Sequence, residues 1–396
     1  MSSVLLDDFR RHVAWTSDFP LGLAVERAEG PFIYLQDGRR IIDFISGIAV
    51  SSLGHRHPRV TEAVHRQVDR YLHVMVYGEF VLEPQVAFAT LLAEQLPLQL
   101  QVAYFTMSGT EANEGALKLA KKYTGRSKLV AFERSYHGDT HGSLSVTGRS
   151  VYQNPFRPLL PGVTFLPFND ASALDAIDEE TACVITEPVQ GEGGIRVPSR
   201  EWLQALRQRC TETGALLIFD EIQTGFGRTG HLFAFQHFGV VPDVMSVAKA
   251  MAGGMPLGAF VSSPDIFASF RNDPPLSHVT TFGGHPVSCT AAHAALRVLL
   301  EENLPARAID VGTRIRERLV HPLIREVRGV GAMLGMELAG RDVTERVVNC
   351  CLDRGVLLGW TLHSDTLVRI APPLNIPYDV LDEALGIIFD SLEREY

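Results

Sequence analysis

Cysteine is scarce in this 396-residue sequence. Cys183, Cys210, Cys289, Cys350 and Cys351 make an odd count without CxxC spacing, which excludes a disulfide framework and a zinc knuckle and suits a reducing cytoplasm. An excess of basic residues is also missing. With 36 Lys plus Arg against 46 Asp plus Glu, the formal net charge is −10, so a nucleic-acid or anionic-membrane partner is not expected. Apolar runs such as 215–219 are strand-sized and far too short to span a bilayer. Asp7 and Asp8 interrupt the N-terminal apolar stretch before a signal-peptide core could form. There is no repeat and no low-complexity tract. These absences leave a soluble cytoplasmic protein as the expectation.

What is present is 46% hydrophobic and 21% charged residues, enough to bury a sizeable core. Single cores stop growing at about 250–300 residues, so this length suits two lobes. The middle of the chain alternates short β-rich runs with helical patterns, the signature of an α/β layer with a largely parallel sheet. Strands are predicted at 102–106, 128–132, 182–186, 215–219, 244–247 and 259–262, all reading as buried on both faces. A helix over 201–213 carries Trp202, Leu203, Leu206 and Cys210 on one stripe and stops at Gly214. Another, over 110–123, follows Ser108-Gly109-Thr110. From about Pro305 the pattern changes to helix at 314–319, strand at 330–337, helix at 344–353, strand at 367–370 and helix at 378–393, a second lobe.

Ligands in open α/β sheets bind outside the carboxyl ends of strands. Two such ends carry charge: Asp220 follows the run 215–219, and Lys249 follows 244–247. An acid and a lysine at neighbouring strand ends could form a plain salt bridge. They could also serve pyridoxal phosphate. A desolvated lysine has a lowered pKa, so its neutral amine can condense with an aldehyde. A carboxylate keeps a pyridine nitrogen protonated, and Asp220 suits that task. Ser108-Gly109-Thr110, opening an apolar-faced helix, offers hydroxyls and backbone N–H groups to a phosphate; taken alone, the same tripeptide reads far more often as an ordinary N-cap.

The strings Met107-Ser-Gly-Thr-Glu-Ala-Asn-Glu114, Tyr136-His-Gly138, Glu187-Pro-Val-Gln-Gly-Glu-Gly-Gly194, Phe219-Asp-Glu-Ile-Gln-Thr-Gly-Phe-Gly-Arg-Thr-Gly230, Lys249, Thr280-Thr-Phe-Gly-Gly284 and Arg369-Ile-Ala-Pro-Pro373 occur in one order along nearly the whole chain. Together they resemble the class III aminotransferases, a group that includes the acetylornithine, ornithine and 4-aminobutyrate enzymes. The resemblance implies the fold type I architecture of pyridoxal phosphate enzymes. A large domain at 56–304 would hold a mostly parallel seven-stranded sheet. A small α+β domain would combine an N-terminal segment, 1–55, with residues 305–396.

It also implies roles. Lys249 resembles the lysine that binds the cofactor and shuttles the proton as general acid and base. Asp220 would partner the ring nitrogen, Gln223 the ring hydroxyl, and Tyr136 and Ile222 the two ring faces. Ser108, Gly109 and Thr110 would form the phosphate cup, with His137 and Glu187 also in the cofactor pocket. Thr281 would reach the phosphate of a neighbouring subunit, which implies a homodimer with shared active sites. Arg369 would grip a substrate carboxylate through its fork. Glu192 would pair with it when a terminal amine enters instead; an interdomain bridge is the plainer alternative for that pair. The implied reaction moves an amino group from a terminal-amine donor to a 2-oxo acid, 2-oxoglutarate. A diamine or diaminopelargonate-like specificity, a same-fold aminomutase or decarboxylase, and a non-catalytic relative are the alternatives.

Two positions depart from the family pattern. Many ornithine and 4-aminobutyrate enzymes have an arginine directly after the aromatic-x-Gly turn, where this chain has Asp139. That reversal would repel a carboxylate. Asp139 is expected either to face a cationic group on a substrate or to pair with Arg134 or Arg149. His285 replaces the usual asparagine after Phe-Gly-Gly, with no evident effect. The segments 15–20 and 46–49 correspond to parts lining the substrate entrance, although Trp15 could equally pack in a core. His55 and His57 lack a third ligand at zinc-site spacing, so no metal site is expected.

Overall fold

The computed structural model describes residues 2–360 and 364–394. Seven strands form the central sheet: β1 (Val102–Thr106), β2 (Lys128–Phe132), β3 (Val163–Leu166), β4 (Thr181–Thr186), β5 (Leu216–Asp220), β6 (Val244–Val247) and β7 (Gly258–Ser262). Their spatial order is β1-β7-β6-β5-β4-β2-β3. Only β7 runs antiparallel to its neighbours, β1 and β6; the other pairs are parallel. Six strands lie within one residue of their expected positions. The seventh, β3, was not foreseen. It has four residues, sits at the sheet edge and is only partly buried along most of its length, although its Val-Thr-Phe-Leu run is as apolar as the Val-Met-Ser-Val of β6. At the opposite edge, β1 also departs from the expected two-sided burial, because its first three residues are partly exposed.

The flanking helices follow their local signals. In the Gly109–Thr124 helix, the Ser108 hydroxyl accepts from the Glu111 N–H at 3.3 Å, and Gly125 ends the helix at φ 69°. A Cβ on Gly115 would lie 2.2 Å from the Phe260 ring, so glycine lets this helix sit directly on β7. The Arg200–Thr213 helix is capped by Ser199, buries Trp202, Leu203, Leu206 and Cys210, and stops at Gly214, φ 71°. Inner-strand residues alternate between two cores. Val184, Leu217, Phe219 and Met245 join an apolar cluster that continues to Val368, Ile370 and Leu381, while Ile185, Ile218 and Val244 join Leu119 and Phe260 on the other face.

Away from this sheet, Val356–Leu357 pairs in parallel with Arg40–Asp43, bringing a C-terminal segment beside an N-terminal one. A second sheet orders Ile324–Val330, Met333–Leu338, Leu367–Ile370 and Gly359–Trp360. Two expectations are corrected here. The strand predicted at 330–337 is a hairpin split by Gly331 at φ 55°, and the helix predicted at 314–319 begins ten residues earlier, at Leu304, with Pro305 in its first turn. Buried Arg228 ties these parts to the large sheet. It donates to Pro372 O at 2.6 Å, Ala332 O at 3.3 Å and Ser52 Oγ at 2.9 Å, and burial pulls its pKa down to about 9. Trp15 belongs to neither core: it is exposed and stacks on Phe9. No helix among the described residues is long and apolar enough to cross a membrane.

Candidate active site

The carboxyl ends of β5 and β6 and the start of the Gly109–Thr124 helix converge on a cavity of about 650 Å³. Parallel pairing sets Asp220 opposite Ser246, three residues before Lys249. No Asp220–Lys249 ion pair forms. Instead, Asp220 Oδ2 accepts from Asn113 Nδ2 and from His137 Nδ1, both at 2.8 Å, and Oδ1 accepts from the Ile222 N–H at 3.1 Å. Asn113 also donates to the His137 carbonyl at 2.8 Å. This buried carboxylate is therefore held from three sides, while its helper His137 leaves Nε2 without a partner.

Lys249 stands at φ 48°, a left-handed backbone conformation that non-glycine residues hold only when their surroundings enforce it. Burial lowers its pKa, and the nearby Glu192 and Asp220 carboxylates partly oppose that shift. Glu187 lines the same cavity. Its oxygens accept from the Gly191 N–H at 2.9 Å and the Tyr136 N–H at 3.2 Å, yet burial raises its pKa to about 7.

At the helix start, Ser108 does act as an N-cap, so that reading holds whatever else the residue does. A Cβ on Gly109 would lie 2.8 Å from Ile222 Cδ1, which brings the glycine and Ile222 into direct packing. Thr110 Oγ1 is within 2.7 Å of Thr140 Oγ1 and 2.6 Å of Ser143 Oγ. Glu114 supports this loop by accepting from the Gly142 and Ser143 N–H groups at 2.9 and 3.1 Å.

Glu192 and Arg369 meet through a hydrogen bond from Nη1 to Oε1, both side chains being buried. Glu192 lines the main cavity. Arg369 lines an adjoining small cavity, and Gln223 lines both. Arg369 Nε and Glu192 Oε2 have no partner, so the pair uses only part of its donor and acceptor capacity. Ile48 and Ala49 line that adjoining cavity, on a turn where residues 46–49 all have positive φ. The Ser46 hydroxyl braces the turn by donating to the Ala371 carbonyl at 2.7 Å.

Asp139 finds a partner that sequence reading did not consider: its Oδ2 accepts from the Tyr136 hydroxyl at 2.8 Å. Burial and this hydrogen bond raise the Tyr136 pKa and keep the phenol protonated. Thr281 is exposed and does not line the cavity; its carbonyl accepts from His73 Nε2 at 2.8 Å. His285 stacks on His73. His55 Nε2 donates to Asp43 Oδ2 at 2.9 Å, and its Nδ1 lies 3.5 Å from Ser51 Oγ, a structural brace; no group of ligands suited to a metal ion exists among the described residues. Asn113, Thr140 and Ser143 were missed. Asn113 was the legible one, standing three residues after Thr110 on the same helix.

A family model for class III aminotransferases matches residues 14–392. The chain belongs to that family, and its fold and activity are those of an aminotransferase. It is 42% identical over 392 residues to the acetylornithine aminotransferase of Methanopyrus kandleri, covering 98% of each chain. It is also 42% identical over 380 residues to the acetylornithine aminotransferase of Streptomyces coelicolor, covering 94% of this chain and 91% of that one. Among solved structures, the ornithine aminotransferase of Toxoplasma gondii superposes with a TM-score of 0.91 at 30% identity, covering 99% of this chain and 94% of that one. An (S)-enantioselective omega-transaminase from Thermomicrobium roseum also gives 0.91, at 29% identity and 99% and 98% coverage.

Proposed function

We propose that this chain uses pyridoxal phosphate to move an amino group from a terminal-amine donor, of the acetylornithine, ornithine or ω-amine type, to 2-oxoglutarate. The observation that carries the reading is a lysine of lowered pKa sharing one cavity with Glu192, which is ion-paired to Arg369 of the adjoining cavity. The acetylornithine aminotransferases among its relatives support it.

The residues present fit the cofactor. The cavity has the size of a small-molecule site, and the first N–H groups of the Gly109–Thr124 helix lack intrahelical partners by geometry. Ser108, Gly109 and Thr110 would hold its phosphate, Asp220 its ring nitrogen and Gln223 its ring hydroxyl. Tyr136 and Ile222 would cover the ring faces, His137 and Glu187 would shape the pocket, and Lys249 would meet its aldehyde. When bound, the cofactor supplies an electron sink for the substrate carbon bearing the amine. Asn113 and His137 orient Asp220 so that its carboxylate faces one direction. Lys249 then takes the proton from the amine-bearing carbon as general base, a task its lowered pKa suits.

Glu192 occupies Arg369 while a donor without a carboxylate at that point enters. A 2-oxo acid carboxylate would compete for the guanidinium, whose Nε is unpartnered. Thr281, exposed on this chain, would serve the site of a second copy in a homodimer, which sedimentation measures directly. The five cysteines are buried and unbonded, in keeping with a cytoplasmic protein. The test is a turnover screen of N-acetylornithine, ornithine, 4-aminobutyrate and ω-amines with 2-oxoglutarate as acceptor, expecting one glutamate formed per amine consumed. Release of carbon dioxide or an isomerised product would defeat the transaminase reading.

A further inference from the structure

Among the described residues, four carboxylates line the cavity, Asp139, Glu187, Glu192 and Asp220, while Lys249 and His137 are its basic side chains and no arginine lines it. Their environments differ. Asp220 and Glu187 are buried and engaged by the donors described above. Glu192 is 5% exposed, bonded to Arg369 through Oε1, with Oε2 unpartnered. Asp139 alone is exposed, on the rim, where Tyr136 engages Oδ2 and no ion pair with a cation forms among the described residues.

A rim carboxylate without a cation, above a cavity whose wall holds a second acid with a spare oxygen, sets an electrostatic preference for what enters. The field favours positive charge and opposes a carboxylate close to Asp139. The Tyr136 hydrogen bond fixes the carboxylate rather than neutralising it, because a phenol donates a hydrogen bond and carries no charge. The acceptor's carboxylate is left to Arg369, which is bonded to Glu192 and lines the adjoining cavity rather than this one.

We infer that Asp139 is a specificity-determining residue that binds a second ammonium group on the amino donor, so that the preferred donors are dicationic: diamines or amines with a distal basic group. This deepens the transaminase reading and rests on it. The matched probes are 1,5-diaminopentane, pentylamine and 5-aminopentanoate, which differ only in the charge of the tail.

The wild-type holoenzyme is expected to rank kcat/KM in that order, with the diamine ahead of the neutral amine by about tenfold, the scale of one hydrogen bond to a charged group. Asp139→Asn keeps an oxygen that can accept from Tyr136 while removing the charge, and should collapse the diamine-to-pentylamine ratio, mainly through KM for the diamine. Asp139→Arg should bring 5-aminopentanoate above the diamine. Equal kcat/KM for the diamine and pentylamine in the wild type, or an unchanged ratio in Asp139→Asn, would overturn the assignment while leaving the transaminase reading intact. Absence of amino transfer from every terminal amine tried would overturn both.

Discussion

Two carboxylates in this cavity differ in how completely they are held. Asp220, at the end of a central strand, receives three hydrogen bonds from Asn113, His137 and the Ile222 amide. Glu192, on the loop after β4, holds Arg369 by one oxygen and leaves the other free, and Arg369 in turn leaves Nε free. A saturated buried acid has one stable arrangement, because any movement strands a donor at about 1–3 kcal/mol. A half-used buried ion pair has somewhere else to go. Under the function proposed above, the difference would separate a fixed cofactor side from a substrate side that can exchange one partner for another, as a ping-pong enzyme needs if one cavity is to take two substrates in turn.

The largest effect is expected where the two sides meet. Lys249→Ala should lower turnover at least about a thousandfold, in line with loss of a positioned proton-transfer group, and remove the visible absorbance of the reconstituted protein. Retained turnover would sink the assignment of Lys249. Next, Asp220→Asn removes the charge from the saturated side while keeping its size; both half-reactions should slow by about a hundredfold, with weaker cofactor retention in dialysis. If only one half-reaction slowed, the division between the sides would be drawn wrongly.

Arg369→Gln breaks the exchangeable pair. The KM for 2-oxoglutarate should rise about tenfold or more, the scale of a charged hydrogen bond, with a smaller change in the donor half-reaction measured by stopped flow. The smallest effect concerns stability. Glu221, beside Asp220, accepts from the Ala234 and Phe235 amides at 3.0 and 2.7 Å, and burial raises its pKa from 4.5 to about 7. A raised folded-state value means that the folded chain holds a proton the unfolded chain has lost, so this contribution is present below about pH 4.5 and fades as pH rises through about 7. The fall in Tm between about pH 5 and 8 should accordingly be smaller in Glu221→Gln. Glu187 shifts in the same direction and remains in that variant; equal slopes would show that Glu221 is ionised throughout.

The inner strands were legible because residues such as Leu217, Ile218 and Val244 are buried on both faces and so must all be apolar. The edge strand β3 was missed although Val163, Phe165 and Leu166 are apolar, since it is only four residues long and only its last residue is buried. Lys249, Asp220 and Ser108 were legible from their order and their positions at strand and helix ends. The Glu192–Arg369 contact joins residues 177 positions apart, so spacing said nothing of it and the family resemblance supplied it. The Tyr136–Asp139 hydrogen bond spans only three residues, yet it was missed because an exposed turn has no period that fixes side-chain direction.

The sequence by itself determined the large sheet's inner strands, the helix caps and the chemical identity of the groups at the strand ends, because those follow from local burial patterns and residue chemistry. Only the tertiary structure decided which of those groups are saturated and which are left with spare donors and acceptors. That depends on distances between segments far apart in the chain: Asn113 against Asp220, Glu192 against Arg369, and Arg228 against Pro372 and Ser52. The same folding leaves Asp139 exposed at the cavity with a phenol for a partner.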